Sequence, residues 1–342
     1  MRILVTGGAG FIGSNFVRYM LDSYANYSLI NLDLLTYAGN LENLKGLANN
    51  SHHRFVQGDI CDQETVETLM GSGLDAVINF AAESHVDRSI LDASAFLRTN
   101  IAGTYTLLEA ARKHKVARFV QISTDEVYGS LGPQGAFTEQ TPLAPNSPYA
   151  ASKTSADLLV RAFYHTYQFP AVITRCSNNY GPYQFPEKLI PLLISNALRE
   201  KPLPIYGDGL YVRDWLFVED HCAAIDKVLH HGKAGEIYNI GGNNEKTNLE
   251  IVNLVLDQLK KSAALIRHVQ DRPGHDRRYA IDAAKIGSEL NWQPRVQFSD
   301  GMRRTIDWYV KNQDWVEHIR SGEYMRYYEK MYDHRSQTLQ EL

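Results

Sequence analysis

Residues 7–13 read Gly-Gly-Ala-Gly-Phe-Ile-Gly, directly after the apolar run Ile3-Leu4-Val5 and directly before a helical pattern. No other stretch restricts the fold as tightly. Gly8, Gly10 and Gly13 satisfy G-x-G-x-x-G, and Gly7, Gly10 and Gly13 are spaced by three. A strand, a glycine-rich turn and a helix in that order bring backbone close to a pyrophosphate. The free N–H groups and the positive dipole end of the helix then hold the anion. Asp33 follows Gly13 by twenty residues, at the end of the second predicted strand. A carboxylate there accepts hydrogen bonds from an adenosine ribose 2′-hydroxyl and repels a 2′-phosphate, so NAD is expected rather than NADP.

Around that turn, short apolar runs alternate with helical patterns. Strands are predicted at 29–32, 55–56, 76–80, 119–122 and 171–173, and helices at 11–21, 96–114 and 149–167. Such alternation predicts an α/β fold, a Rossmann-type doubly wound parallel sheet with a smaller C-terminal α/β substrate-binding domain. Residues 1–180 are read as the NAD-binding domain and 181–342 mainly as a smaller, substrate-facing domain, because Pro182, Pro186, Pro191, Pro202 and Pro204 break the regular pattern. The run 237–240 is a candidate to rejoin the main sheet. The polar end from about Asp333 is expected to be loosely held.

The 342 residues are 44% hydrophobic and 22% charged, enough apolar material for a sizeable core. A formal net charge of −4 leaves no basic surplus for nucleic acid. No apolar stretch approaches the ~20 residues that span a bilayer. The opening Met1-Arg2-Ile3-Leu4-Val5 meets glycines too soon for a secretory signal. Cys61, Cys176 and Cys222 are scattered, so neither a disulfide framework nor a metal site is expected. Together these features predict a cytoplasmic protein with no nucleic-acid or membrane partner.

Two further strings carry the chemistry. Tyr149 and Lys153 are four apart on a predicted helix, hence on one face. A phenol normally ionises near pH ~10. A neighbouring ammonium is expected to bring that toward neutrality, making Tyr149 a base for a substrate hydroxyl. Tyr-x-x-x-Lys is a weak signal in a chain with 20 tyrosines, and a surface helix pair is its ordinary reading. Its place between the fifth and sixth strands strengthens it. The second string, Thr124-Asp125-Glu126, follows the fifth strand, where side chains face the ligand crevice. Elsewhere an Asp-Glu pair would be a solvated turn or a helix cap. Here two adjacent carboxyls are expected to separate in pKa into one acid and one base, sufficient for an elimination beside a nicotinamide.

Together with Thr36-Tyr37-Ala38-Gly39-Asn40, Ala81-Ala82-Glu83-Ser84-His85-Val86-Asp87-Arg88-Ser89, Asn178-Asn179-Tyr180-Gly181-Pro182 and Asp271-Arg272-Pro273-Gly274-His275-Asp276, these strings resemble the extended short-chain dehydrogenase/reductase family over essentially the whole chain. Within it they are similar to the dTDP-glucose 4,6-dehydratases. The resemblance implies a lyase that forms dTDP-4-keto-6-deoxyglucose and water by oxidation at C4, elimination across C5/C6 and return of hydride to C6. It implies roles for Tyr149 on the 4-hydroxyl, Thr124 on the 4-keto oxygen, Lys153 on the nicotinamide ribose, Glu126 on the C5 proton and Asp125 on the leaving hydroxyl. It implies cofactor contacts from Gly7, Gly10, Phe11, Ile12, Gly13, Asp33, Leu34, Leu35, Thr36, Asp59, Ile60, Ala81, Ala82, Ser84, Thr99, Tyr149, Lys153 and Asn179. For the nucleotide-sugar substrate it implies Ser84, Thr124, Asn178, Lys188, Leu189, Pro204, Ile205, Tyr206, Arg213, Asn248, Asp271, Arg272 and His275. Because NAD is regenerated in each turnover, tight retention is implied, as is a homodimer joined through a four-helix interface.

Alternatives stay open from sequence. Lys188 and Arg213 suit a diphosphate but also an ordinary charged surface, and Tyr206 suits a base or a core equally. His85 reads as supporting rather than catalytic. UDP-glucose in place of dTDP-glucose, a nucleotide-sugar 4-epimerase or plain dehydrogenase with Asp125 and Glu126 as bystanders, and a non-catalytic NAD sensor are the competing readings.

Overall fold

The computed structural model describes residues 1–320 and Tyr328, so the polar end from Asp333 lies outside the described residues. The chain begins β1 (Arg2–Thr6), α1 (Phe11–Ser23), β2 (Ser28–Asp33), β3 (His53–Gln57), α2 (Gln63–Met70) and β4 (Ala76–Asn79). It continues α3 (Val86–Leu91), α4 (Ser94–Phe96), α5 (Thr104–Lys113), β5 (Arg118–Thr124), α6 (Pro148–Tyr167) and β6 (Ala171–Cys176). Next come β7 (Asn178–Tyr180), α7 (Leu189–Leu198), β8 (Leu203–Tyr206), β9 (Val212–Phe217), α8 (Val218–His231) and β10 (Ile237–Ile240). The last described elements are β11 (Glu245–Thr247), α9 (Asn248–Leu259), β12 (Ile266–Val269), α10 (Ala284–Leu290), α11 (Phe298–Lys311) and α12 (Gln313–Ile319).

Seven strands form one sheet in the order β10-β6-β5-β4-β1-β2-β3, with every neighbouring pair parallel. This is the doubly wound order, and its crevice opens between β1 and β4, where the chain reverses direction across the sheet. Both faces are covered, which explains why the strands read as apolar runs rather than alternating ones. Alternate residues of β1 enter opposite cores. Ile3 and Val5 join Phe16, Val17 and Met20, whereas Leu4 joins Val77, Leu107 and Val160. Cys222, Ile225 and Val228 of α8 belong to the first of these cores, so elements beyond residue 180 complete the large body. β10 pairs with β6 at the sheet's end.

A third core holds Leu193, Ile194, Trp215, Ile251, Val255, Met302 and Ile306 around two small sheets, β11-β9-β7 and β12-β8. Among the described residues no helix is long and apolar enough to cross a membrane.

The predicted helix 96–114 needs correction. The helical stretch runs from α4 into α5, but Leu97–Gly103 between them adopts π-helical turns. The wider turn holds Asn100, whose buried amide accepts from the Glu83 N–H at 2.9 Å and donates to the Glu83 carbonyl at 3.0 Å and to Ser152 Oγ at 2.8 Å. These bonds tie the strand-end segment after β4 to α6. They give a local reason for a turn that apolar periodicity does not reveal.

Candidate active site

The glycine turn is a cradle that no side chain could share. Gly7 has φ +69°, and a Cβ on it would lie 2.6 Å from the Ala81 nitrogen. A Cβ on Gly13 would lie 2.3 Å from the Gly7 carbonyl oxygen. α1 starts at Phe11 without a side-chain cap, leaving first-turn N–H groups for an anion. Asp33, at the end of β2, accepts from the Ala9 N–H at 2.9 Å and from the Leu35 N–H at 2.8 Å. Each carboxylate oxygen keeps a lone pair for a ribose hydroxyl, and burial raises the Asp33 pKa. The space that Cβ atoms would fill, the uncapped helix and the carboxylate all fit a dinucleotide.

One continuous cleft runs from this cradle across the carboxyl ends of the strands. Gly7, Gly10, Phe11, Ile12, Gly13, Asp33, Leu34, Thr36, Asp59 and Ile60 line one end. Ala81, Ala82, Ser84, Thr99, Thr124, Asp125, Glu126, Tyr149, Lys153, Asn178, Asn179 and Lys188 line the remainder. Leu35 is the exception among the expected cofactor residues. Its φ is +59°, and its side chain packs against the core beneath β1 and α1.

Tyr149 sits in the first turn of α6, which begins at Pro148 and is capped by Ser147 Oγ accepting from the Ala150 N–H at 3.1 Å. Thr124 ends β5, and its hydroxyl accepts from the Glu126 N–H at 3.3 Å, capping the short 3-10 turn Asp125–Tyr128. Both carboxyls of that turn thus enter the cleft on rigid backbone. Burial lifts Asp125 well above the usual carboxylate range, and the neighbouring Glu126 adds to this. Burial also raises Glu126, but Arg272, Arg213 and Lys188 oppose it. The pair is therefore unequal, with Asp125 the better proton holder. Asp125 Oδ2 is buried with no hydrogen-bond partner among the described residues, an unusual state for a polar atom.

The expected effect of Lys153 on Tyr149 is not found. Burial and the Glu126 carboxylate push the phenol well above its ordinary value, with a Thr124 hydrogen bond pulling the other way. The Lys153 ammonium, itself lowered by burial, donates to the Ile122 carbonyl at 2.7 Å. The i,i+4 spacing brings both residues to one face but does not aim the ammonium at the phenol.

Not all expected substrate residues face the cleft. Ile205 is buried in the third core, Leu189 packs against it, and Pro204 is buried beside Ile205 in β8. Asn248 is buried at the start of α9, its N–H donating to the Tyr211 carbonyl at 3.1 Å. Ser84, Thr124, Asn178 and Lys188 line the cleft, whereas Tyr206, Arg213, Asp271, Arg272 and His275 lie outside its lining, in a polar cluster whose arginines act on Glu126. The Tyr206 hydroxyl donates to Asp87 Oδ2 at 2.6 Å, and Arg272 donates to Asp87 Oδ1 at 3.0 Å. His275 Nδ1 lies 2.7 Å from Asp271 Oδ1, and the His275 ring stacks on Tyr211. Arg213 donates to the Asp276 carbonyl at 2.9 Å. Lys188 donates to the Ser84 carbonyl at 2.8 Å, joining the two halves of the cleft.

Sequence reading missed Glu187 and Asp87. The Glu187 carboxylate is buried in the cleft wall, with Arg88 Nε at 3.2 Å and His85 Nε2 at 3.9 Å. Burial pushes it up to about 7 despite Arg88 and Lys188. Nothing in the string Pro186-Glu187-Lys188 marks the glutamate as buried, because the arginine that meets it is 99 residues away.

A sequence model of the GDP-mannose 4,6 dehydratase family matches residues 4–305. A dTDP-glucose 4,6-dehydratase of Xanthomonas campestris is 55% identical over 340 residues, covering 94% of this chain and 96% of the relative. The chain belongs to the dTDP-glucose 4,6-dehydratase family. One solved dTDP-glucose 4,6-dehydratase, from Bacillus anthracis in complex with NAD, is 55% identical with a TM-score of 0.88, covering 93% of this chain and 99% of that one. Another, from Streptomyces venezuelae with NAD and a TDP ligand bound, is 52% identical with a TM-score of 0.91, covering 93% and 100%.

Proposed function

We propose that this chain is an NAD-dependent dTDP-glucose 4,6-dehydratase, converting dTDP-glucose to dTDP-4-keto-6-deoxyglucose and water. The observation that carries the reading is the unequal pair Asp125 and Glu126, set in the same cleft as Tyr149, Thr124 and the glycine cradle. An epimerase or simple dehydrogenase has no use for a second, protonated carboxyl beside the first.

When bound, NAD supplies a hydride acceptor that later returns the hydride, and a cationic ring that favours the phenolate. Tyr149 takes the proton of the sugar 4-hydroxyl, and Thr124 hydrogen-bonds the developing 4-keto oxygen. Lys153 would hold the nicotinamide ribose. Once C4 is a ketone, the C5 proton is acidic. Glu126, held closer to its ionised form by three cations, removes it. Asp125, whose protonated form is favoured by burial and by Glu126, donates to the 6-hydroxyl, which departs as water; C6 then takes back the hydride and Glu126 returns its proton to C5. Arg213, Arg272 and Lys188 are the charge-assisted donors for the diphosphate, with Tyr206 and His275 beside them for the nucleoside.

A homodimer joined through four helices fits the surface. Leu97, Tyr105, Leu158 and Tyr167 are each about half exposed, on the π-helical stretch, α5 and α6. Three free thiols, with Cys176 and Cys222 buried, suit a reducing cytoplasm.

The deciding experiment is mass spectrometry of the product from dTDP-glucose deuterated at C4. A product lighter by one water with deuterium at C6 is expected. An unchanged mass with inverted C4, or reduced cofactor accumulating in step with turnover, would overturn the reading. UDP-glucose run in parallel tests the nucleotide.

A further inference from the structure

The carbonyl of Ala9, inside the glycine cradle, accepts two hydrogen bonds from outside the cradle. One comes from the Asn40 N–H at 3.0 Å and the other from Asn43 Nδ2 at 2.8 Å. Asn43 is buried, and its Oδ1 accepts from the indole N–H of Trp315 on α12 at 2.9 Å. A carbonyl only accepts and an indole N–H only donates, so the orientation of this amide is fixed by its two partners. The Asn43 backbone carbonyl is gripped by Arg18 of α1 at 3.2 Å from Nε and 2.7 Å from a terminal nitrogen. Trp315 is buried among Trp308, Tyr309 and Tyr183. Trp315, 272 residues from Asn43 in the chain, is thus two hydrogen bonds from the backbone expected to meet a pyrophosphate.

We propose that Trp315 is a cofactor-positioning residue: through Asn43 it holds the Ala9 carbonyl, and with it the glycine cradle, so that retention of the dinucleotide depends on α12 being seated against the 40–45 segment. The inference rests on the NAD reading above. It assigns α12, which contributes nothing to the cleft lining, a part in keeping the cofactor between turnovers. It also distinguishes cofactor hold from sugar-nucleotide hold, because neither Asn43 nor Trp315 touches the Arg213–Arg272–Lys188 cluster.

The test follows dinucleotide release from the holoenzyme by exchange with labelled NAD, beside affinity for thymidine diphosphate and thermal stability. Trp315→Phe keeps an aromatic ring and removes the donor. Asn43→Leu removes both links at similar volume. Each should speed NAD release by roughly tenfold, the scale of one buried hydrogen bond, with thymidine diphosphate affinity unchanged. The double variant should release NAD no faster than Asn43→Leu alone, since the relay is already broken. Release from Trp315→Phe within about twofold of the parent, additive effects in the double variant, or parallel losses of NAD, thymidine diphosphate and thermal stability would overturn the proposal. A parent protein that binds no dinucleotide would overturn both this inference and the NAD reading, whereas a parent that holds NAD tightly without dehydrating dTDP-glucose would leave the relay standing.

Discussion

Two carboxylates in the cleft illustrate how far a side chain's neighbours decide its chemistry. Glu126 faces three cations and Asp125 faces Glu126, so in the proposed reaction the same functional group is assigned as base at one position and acid at the next. Glu126→Gln should lower kcat by roughly 10²–10⁴ while leaving C4 oxidation intact, because Tyr149 and Thr124 are untouched. Rapid mixing should then show reduced cofactor forming without water loss, and a variant that never reduces its cofactor would remove Glu126 from the elimination step. Glu187 has a different consequence. Burial lifts its carboxyl from 4.5 to about 7, so between those values the folded protein holds a proton that the unfolded chain releases. Stability contributed by that proton is full at the acid side and falls as pH rises toward 7. Glu187→Gln should flatten this part of the stability–pH curve in urea denaturation, and curves that stay parallel to the parent's would mean that Glu187 titrates normally. The contrast shows what sequence can carry. Thr124, Asp125 and Glu126 are legible because their place at a strand end is local, whereas Glu187 and Asp87 acquire partners 99 to 185 residues away. Lys153 shows a second limit: its spacing from Tyr149 was readable, but the direction of its ammonium was not.

At the level of elements, the glycine turn is the most legible feature because its requirement is steric and short-range. Gly13→Ala would place a methyl 2.3 Å from the Gly7 carbonyl oxygen, which the turn can relieve only by opening. Strain of that kind costs about 1–3 kcal/mol. NAD affinity measured by equilibrium dialysis should fall at least tenfold, and unchanged affinity would mean that the cradle does not receive the pyrophosphate. The long strands and helices of the doubly wound sheet were readable for a related reason: each carries its own apolar period. The small sheets were not. β7 and β11 have three residues each, too few to show a period, and β7 contains two asparagines. The π-helical turns at Leu97–Gly103 are equally invisible, since they arise from what Asn100 must reach rather than from its neighbours in sequence.

Across the whole molecule, the half-exposed Leu97, Tyr105, Leu158 and Tyr167 make the outer faces of the helices before β5 and β6 the natural place for a second copy. On the proposed four-helix dimer, Leu158→Glu should shift the protein toward monomer in sedimentation velocity, with the cleft residues untouched; an unchanged sedimentation coefficient would overturn a dimer through these helices. The overall α/β order was readable from the alternation of runs, but the partnership between distant segments was legible only as a candidate at 237–240. That last strand has a consequence during synthesis. β6, buried along its whole length in the finished protein, leaves the ribosome well before β10, so its open edge stays unpaired while the intervening residues are made. Such an edge invites the wrong partner. The nascent chain therefore passes through an interval in which its first six sheet strands are made and one sheet edge is still open, and it is in that interval that chaperone capture would act.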